Sequence, residues 1–221
     1  MKESYFTKEN IGERAELLLN RFRKSKKHKD IAYSPEYSAL IVMDMQGYFL
    51  NPESHAYIPA SRAIIANIQA LIESYKRANL PVIFTRHINT QFNAGLMSEW
   101  WDDVITENNG LSEIIPELEL SNSVVIEKTQ YDAFYKTNLE ELLNNHNVKQ
   151  VVITGVMTHL CCETTVRSAF VRGFKPFMPI DATATYNEDF HKATLINLFH
   201  GFTSPVVTRE LLESREKHIE S

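Results

Sequence analysis

Two hydrophobic rhythms alternate along the chain. Short apolar-rich runs at residues 39–43, 81–85, 123–126, 151–153, 175–180 and 204–208 read as strands, with 151–153 the signature of one buried on both faces. Between them, apolar residues recur every three or four positions. Ile64, Ile65, Ile68, Leu71, Ile72 and Tyr75 predict a helix over 59–79, with Pro59 in its first turn. Further helices are predicted at 137–145, from Cys161 onward through Val166, Ala169 and Phe170, and at 187–202. Strands alternating with helices predict an α/β fold: a doubly wound, mainly parallel six-stranded sheet with helices on both faces, Rossmann-like in plan. Ahead of it, Ile11, Ala15, Leu18, Leu19 and Phe22 predict an amphipathic helix over 9–27. The chain therefore divides into an N-terminal helical arm, 1–35, and an α/β domain, 36–221. The arm is expected to pack on the domain or on a neighbouring subunit.

In open parallel sheets the site lies beyond the carboxyl ends of the strands. Asp44 ends the first predicted strand, Lys128 ends the third, and Cys161 follows the fourth after the break at Gly155. With Thr158 as N-cap, Cys161 falls in the first turn of its helix, where free N–H groups and the helix dipole favour a thiolate. Each residue alone has a plainer reading: a turn aspartate, a surface lysine, and with Cys162 a pair of small buried apolar side chains. At one sheet edge they form a nucleophile, a base and a charge to orient them. The connection 89–115 is long for a compact domain and carries Trp100 and Trp101, which predicts a lid or pocket wall.

Composition narrows the partners. The chain has 221 residues, 43% hydrophobic and 23% charged, enough for one domain with a full core. A net charge of -5 gives no general attraction to nucleic acid or anionic membrane. The basic run at 21–29 is read as a solvated helix end whose cations complement the macrodipole. Two adjacent cysteines cannot staple distant loops, which points to free thiols in a reducing compartment. No apolar run approaches the ~18 residues of a membrane span, and the N-terminus lacks the apolar core of a signal peptide. A cytoplasmic protein acting on a small molecule is expected, with no nucleic-acid or membrane partner.

Three motifs carry a resemblance. Asp44-Met45-Gln46 with Phe49, Lys128 with Tyr131, Ala133 and Phe134, and Gly155, Thr158, Cys161, Thr165 and Ala169 at their spacings resemble the isochorismatase-like hydrolases, many of them cysteine hydrolases. The likeness covers about residues 37–212. It implies a catalytic triad of Asp44, Lys128 and Cys161, and a cis peptide at Val156–Met157. Backbone N–H groups of Val156, Met157 and Cys161 would meet a developing oxyanion. The pocket is expected to draw on Gln46, Phe49, His87, Trp100, Trp101, Tyr131, Phe134 and His159. A homo-oligomer, dimer or higher, is the family expectation. Nicotinamidases of this superfamily add a metal held by an Asp-x-His pair. After Phe49 this chain reads Asn51-Pro52-Glu53-Ser54-His55, which lacks that pair, so no metal or other cofactor is expected.

The implied chemistry is hydrolysis of a C–N bond, of amide or carbamoyl type, through a thioester on Cys161. The alternative is vinyl ether hydrolysis of isochorismate with release of pyruvate, Asp44 acting as general acid. Local similarity to true isochorismatases at Thr154-Gly155-Val156, His159, Cys162 and 175–178 favours it. Those enzymes carry glycine in place of Cys161. Isochorismate is a dianion, and the arginine expected ahead of the tryptophans aligns with Ala94, which leaves Arg86 or the basic arm to supply the charge. Trp100 and Trp101 instead predict an apolar wall for a smaller, less charged substrate. A non-catalytic scaffold is disfavoured by the intact triad.

Overall fold

A computed structural model describes residues 1–25 and 31–219. Two strands form its centre, β1 (Ser38–Met43) and β4 (Gln150–Val156), and every residue of both is buried. Strands sealed this way need cover on both faces, which explains their unbroken apolar sequence. β2 (Val82–His87) pairs with β1, and β3 (Val124–Lys128) pairs with β2 at the edge. On the other side β4 carries β5 (Lys175–Phe177) and the short β6 (Thr183–Ala184). The order is β3-β2-β1-β4-β5, with every pairing parallel. The mainly parallel six-stranded α/β sheet is thus present.

The register sets the functional edge. Met43 lies opposite Gly155, and His87 opposite Lys128. Gly155 adopts φ +99°, and a Cβ there would come within 2.1 Å of the Met43 carbonyl oxygen. Only glycine tolerates both conditions. It lets β1 and β4 close up where the chain leaves the sheet.

Two elements differ from the sequence pattern. Residues 204–208 were expected as the sixth strand, yet they make a single bridge, Phe177 to Ser204. Pro205 has no N–H for a ladder, and the chain turns at Thr208 into a helix. The sixth strand is Thr183–Ala184 instead. The helix expected over 59–79 begins as a 3-10 segment, Pro59–Ile64, before the α-helix Ile65–Arg77.

The arm folds onto its own domain. Helix α1 (Ile11–Ser25) sends Ile11, Ala15, Leu18, Leu19 and Phe22 into the same core as the sheet, with Tyr5 and Phe6 ahead of it. Ile65–Arg77 is α2, and α3 is Leu139–Asn145. α4 is Glu163–Val171, α5 Glu188–Gly201 and α6 Thr208–Ile219. In the basic run, Arg23 pairs with Glu210 in α6 at 2.7 Å, while residues 26–30 lie outside the described residues. Among the described residues, no helix is long and apolar enough to cross a membrane.

Candidate active site

Three chain reversals at the carboxyl edge deliver the side chains. Asp44 follows β1 in the left-handed region, φ +48°, a conformation that aspartate tolerates better than most residues. Its N–H donates to the Thr85 carbonyl at 3.2 Å, and the Thr85 hydroxyl donates to Asp44 Oδ1 at 2.6 Å. Lys128 is the last residue of β3. Val156–Met157, which closes β4, is a cis peptide. Beyond it, Thr158–Cys162 forms a π-helical turn that runs into α4.

That turn corrects the expected N-cap. The Cys162 N–H reaches back five residues to the Met157 carbonyl at 3.2 Å, widening the turn, so α-helical geometry starts at Glu163, beyond Cys161. Thr158 caps nothing; its hydroxyl meets His191 Nδ1 at 3.1 Å.

The Lys128 ammonium joins the site together. Its Nζ lies 2.8 Å from Asp44 Oδ2, 3.4 Å from Cys161 Sγ, 3.2 Å from His87 Nδ1 and 2.9 Å from the Gln130 carbonyl. Burial pushes the Asp44 carboxyl up, but the ammonium pulls it down and wins, so it stays below the ordinary carboxyl range. Burial lowers Lys128, yet Asp44 and Cys161 raise it above the usual lysine value. Cys161 is pushed up to about 12 by burial and then by the Asp44 charge, with Lys128 opposing. The thiolate expected from helix-terminal placement is therefore not the resting form. One ammonium stabilises one anion here, and Asp44 holds it. Burial drives His87 down to about 4, leaving it neutral. With Nδ1 accepting from Lys128, His87 Nε2–H donates to Asn89 Oδ1 at 2.8 Å.

Above Cys161 opens a cavity of about 230 Å³. Of the residues expected around it, Phe49, His87, Trp101, Tyr131, Met157 and Cys161 line it. Trp101 Nε1–H donates to the Tyr131 hydroxyl at 2.8 Å, tying the 89–115 connection to the segment after β3. Gln46, Trp100, Phe134 and His159 are not part of the lining. Gln46 accepts from His87 N–H and donates to the His87 and Ser112 carbonyls. Trp100 is 79% exposed, Phe134 stacks on Phe174, and His159 stacks on Phe190 while bonding Thr185. Cys162 turns the other way, its thiol 3.8 Å from the Thr154 carbonyl in the core.

Sequence reasoning missed several residues here. Thr85, and Asn89 as the partner of His87, were signalled only by polar residues at the end of an otherwise apolar strand. The lining residues Lys2, Tyr48 and Asp103 gave no sequence signal, while His55 was read as a pocket or surface histidine rather than a ligand. Tyr48 OH donates to Asp103, and His55 Nε2 lies 2.9 Å from the same carboxylate oxygen.

The donor set does not fit a catalytic metal. Asp44, His87 and Cys161 bring ligand atoms within 4.8 Å of one another, but the Lys128 ammonium already stands among them. Both His87 ring nitrogens are engaged, and His55 Nε2 is held by Asp103. A second cation there would meet the first.

The chain has clear relatives. An isochorismatase domain model matches residues 38–210. Nicotinamidase 3 of Arabidopsis thaliana is 43% identical over 170 residues, 75% of this chain and 82% of that protein. Enterobactin synthase component B of Escherichia coli (strain K12) is 33% identical over 186 residues, 83% of this chain, which spans 65% of that longer protein. Among solved structures, a cysteine hydrolase from Pseudomonas syringae pv. phaseolicola 1448A has a TM-score of 0.82 at 26% identity. That match covers 87% of this chain and 99% of the other.

Proposed function

This chain belongs to the isochorismatase family of hydrolases, and from that premise we propose that it cleaves a C–N bond of amide or carbamoyl type in a small molecule. The observation that carries the reading is the shared Lys128 ammonium, 2.8 Å from Asp44 and 3.4 Å from Cys161, which lines the cavity. It keeps Asp44 ionised while Cys161 rests as a thiol, which is the state a base and its nucleophile need before reaction.

As Sγ attacks the carbonyl carbon, the thiol proton passes to Asp44. Negative charge leaves the carboxylate as it builds on the substrate oxygen, where the backbone N–H groups of Met157 and Cys161 receive it. Collapse of the tetrahedral intermediate breaks the C–N bond, and Asp44 returns the proton to the departing amine. Water, giving its proton to Asp44, then attacks the thioester, and Asp44 returns that proton to Cys161 Sγ as the C–S bond breaks and the acid is freed. Vinyl ether hydrolysis would instead need Asp44 protonated at rest, which the Lys128 pairing opposes.

The test is an ammonia-release screen over small amides, carbamoyl compounds and ureides, with pyruvate release from isochorismate followed in parallel. Ammonia release that vanishes in Cys161→Ala supports the reading. Pyruvate release that persists in Cys161→Ala overturns it in favour of the vinyl ether reaction.

A further inference from the structure

The cation sought for an anionic substrate is not where the sequence offered it. Arg86 turns away from the cavity, to Glu113 at 2.7 Å and Glu127 at 3.2 Å. The described part of the basic run pairs with α6 through Arg23. A cation reaches the cavity from the opposite end of the arm. Tyr5 and Phe6 are buried, ring to ring with each other and with His191, and the Thr185 N–H donates to the Tyr5 hydroxyl at 3.0 Å. From that anchor the chain runs back beside Tyr186, which lines the cavity. The Glu3 N–H donates to the Tyr186 carbonyl at 2.8 Å, and Asn187 Nδ2 donates to the Met1 carbonyl at 3.2 Å. Lys2 thereby becomes part of the cavity rim.

The Lys2 ammonium donates to the His55 carbonyl and stands 4.6 Å from the centre of the Tyr186 ring. A carbonyl and a ring face engage it without neutralising it. Among the described residues no carboxylate pairs with it, and partial burial draws it below the usual lysine value. The rim acids stand otherwise: Asp103 is taken by Tyr48 and His55, and Asp102 opens to solvent.

We propose that Lys2 is a specificity residue, its ammonium receiving a carboxylate that the substrate carries at the end remote from the bond cleaved over Cys161. The apolar wall of Trp101, Phe49 and Tyr131 then holds the body of a small carboxylated amide between two polar ends. The bond class rests on the amide-hydrolysis reading; the anion site does not. Lys2 lies ahead of the isochorismatase domain, so this selectivity belongs to the arm.

Two amides of matched shape test it, 3-carbamoylbenzoate and benzamide. Wild type should favour the carboxylate, and Lys2→Gln should reduce the ratio of kcat/KM values about tenfold, the size of a hydrogen bond to a charged group. The loss should appear in KM, and Lys2→Arg should restore most of it. A ratio that stays constant in Lys2→Gln overturns the proposal. If neither amide is hydrolysed, the bond class is judged by the ammonia-release screen, and the anion site is read separately by calorimetric binding of benzene-1,3-dicarboxylate to Cys161→Ala. Binding that weakens about tenfold on adding Lys2→Gln supports the site; binding that is absent or unchanged overturns it.

Discussion

Lys128 Nζ and Asp44 Oδ2 lie 2.8 Å apart with both side chains fully shielded from water. Each charge is tolerable in that setting because the other is present. Removing one partner from a buried pair leaves an uncompensated charge and costs about 3–5 kcal/mol. Lys128→Met should therefore lower stability by that amount and turnover by about 10²–10⁴-fold. Adding Asp44→Asn should recover much of the stability and none of the turnover. Urea unfolding beside a rate assay separates the two effects, and a double variant no more stable than Lys128→Met would contradict the pairing.

The Cys161 thiol gives a sharper test of who holds the negative charge. Its pKa is pushed up to about 12 by burial and the Asp44 carboxylate, against the pull of Lys128. Asp44→Asn should move its titration down while abolishing turnover, since Lys128 then faces the sulfur alone. Lys128→Met should move it further up. Thiolate absorbance in the ultraviolet, followed against pH, reads both directions. A shift of the same sign in the two variants would refute the competition between the anions.

Cys161 and Cys162 are neighbours in sequence with opposite surroundings. Cys161 lines the cavity, while the Cys162 thiol faces the Thr154 carbonyl inside the core. A stoichiometric alkylating agent should label Cys161 first and stop turnover. Cys162→Ala should keep most activity. Peptide mapping of the labelled protein decides it, and labelling that follows Cys162 would remove Cys161 from the mechanism.

His191 sets part of the acid limit of the fold. Burial against Tyr5, Phe6 and Thr158 pushes its pKa down to about 3, with Glu188 opposing and Lys192 adding slightly. The unfolded chain protonates histidine near pH ~6.5. Stability is thus complete above that value and falls by about 1.4 kcal/mol per pH unit as the solution is acidified toward the folded pKa. His87, pushed down to about 4, adds a similar slope over a narrower window. Denaturant unfolding should show His191→Gln losing less stability than wild type, by roughly 2 kcal/mol between about pH 6.5 and 5. Parallel losses in both proteins would place the acid sensitivity elsewhere.

The central strands and the meeting of Asp44, Lys128 and Cys161 were readable because both follow from simple rules. Fully buried parallel strands have no polar face, so 39–43 and 151–153 stood out, and the strand-end rule then gathered Asp44, Lys128 and Cys161. The misread 204–208 shows where such rules end. Val206 and Val207 look like strand, yet Pro205 interrupts the ladder, and the helix after them has a polar sequence that hides its buried side. There Arg215 is almost wholly buried over the Tyr75 ring at 4.0 Å, donating to Ser74, a packing that no apolar periodicity announces. Lys2 was illegible for another reason. Its place on the rim depends on how the arm runs beside Tyr186, a tertiary relation without a local pattern.

β3 sits at the margin of the sheet, joined to the rest through β2 alone. It nevertheless supplies Lys128, while Asp44 and Cys161 come from the central pair. No contiguous piece of chain holds all three, and the pairings that unite them are non-local, the slow kind to form. Regain of turnover during refolding is therefore a stringent clock: it starts only once β3 and both central strands are paired, later than the recovery of helical signal. A chain folded everywhere except at that margin would look nearly native and do nothing.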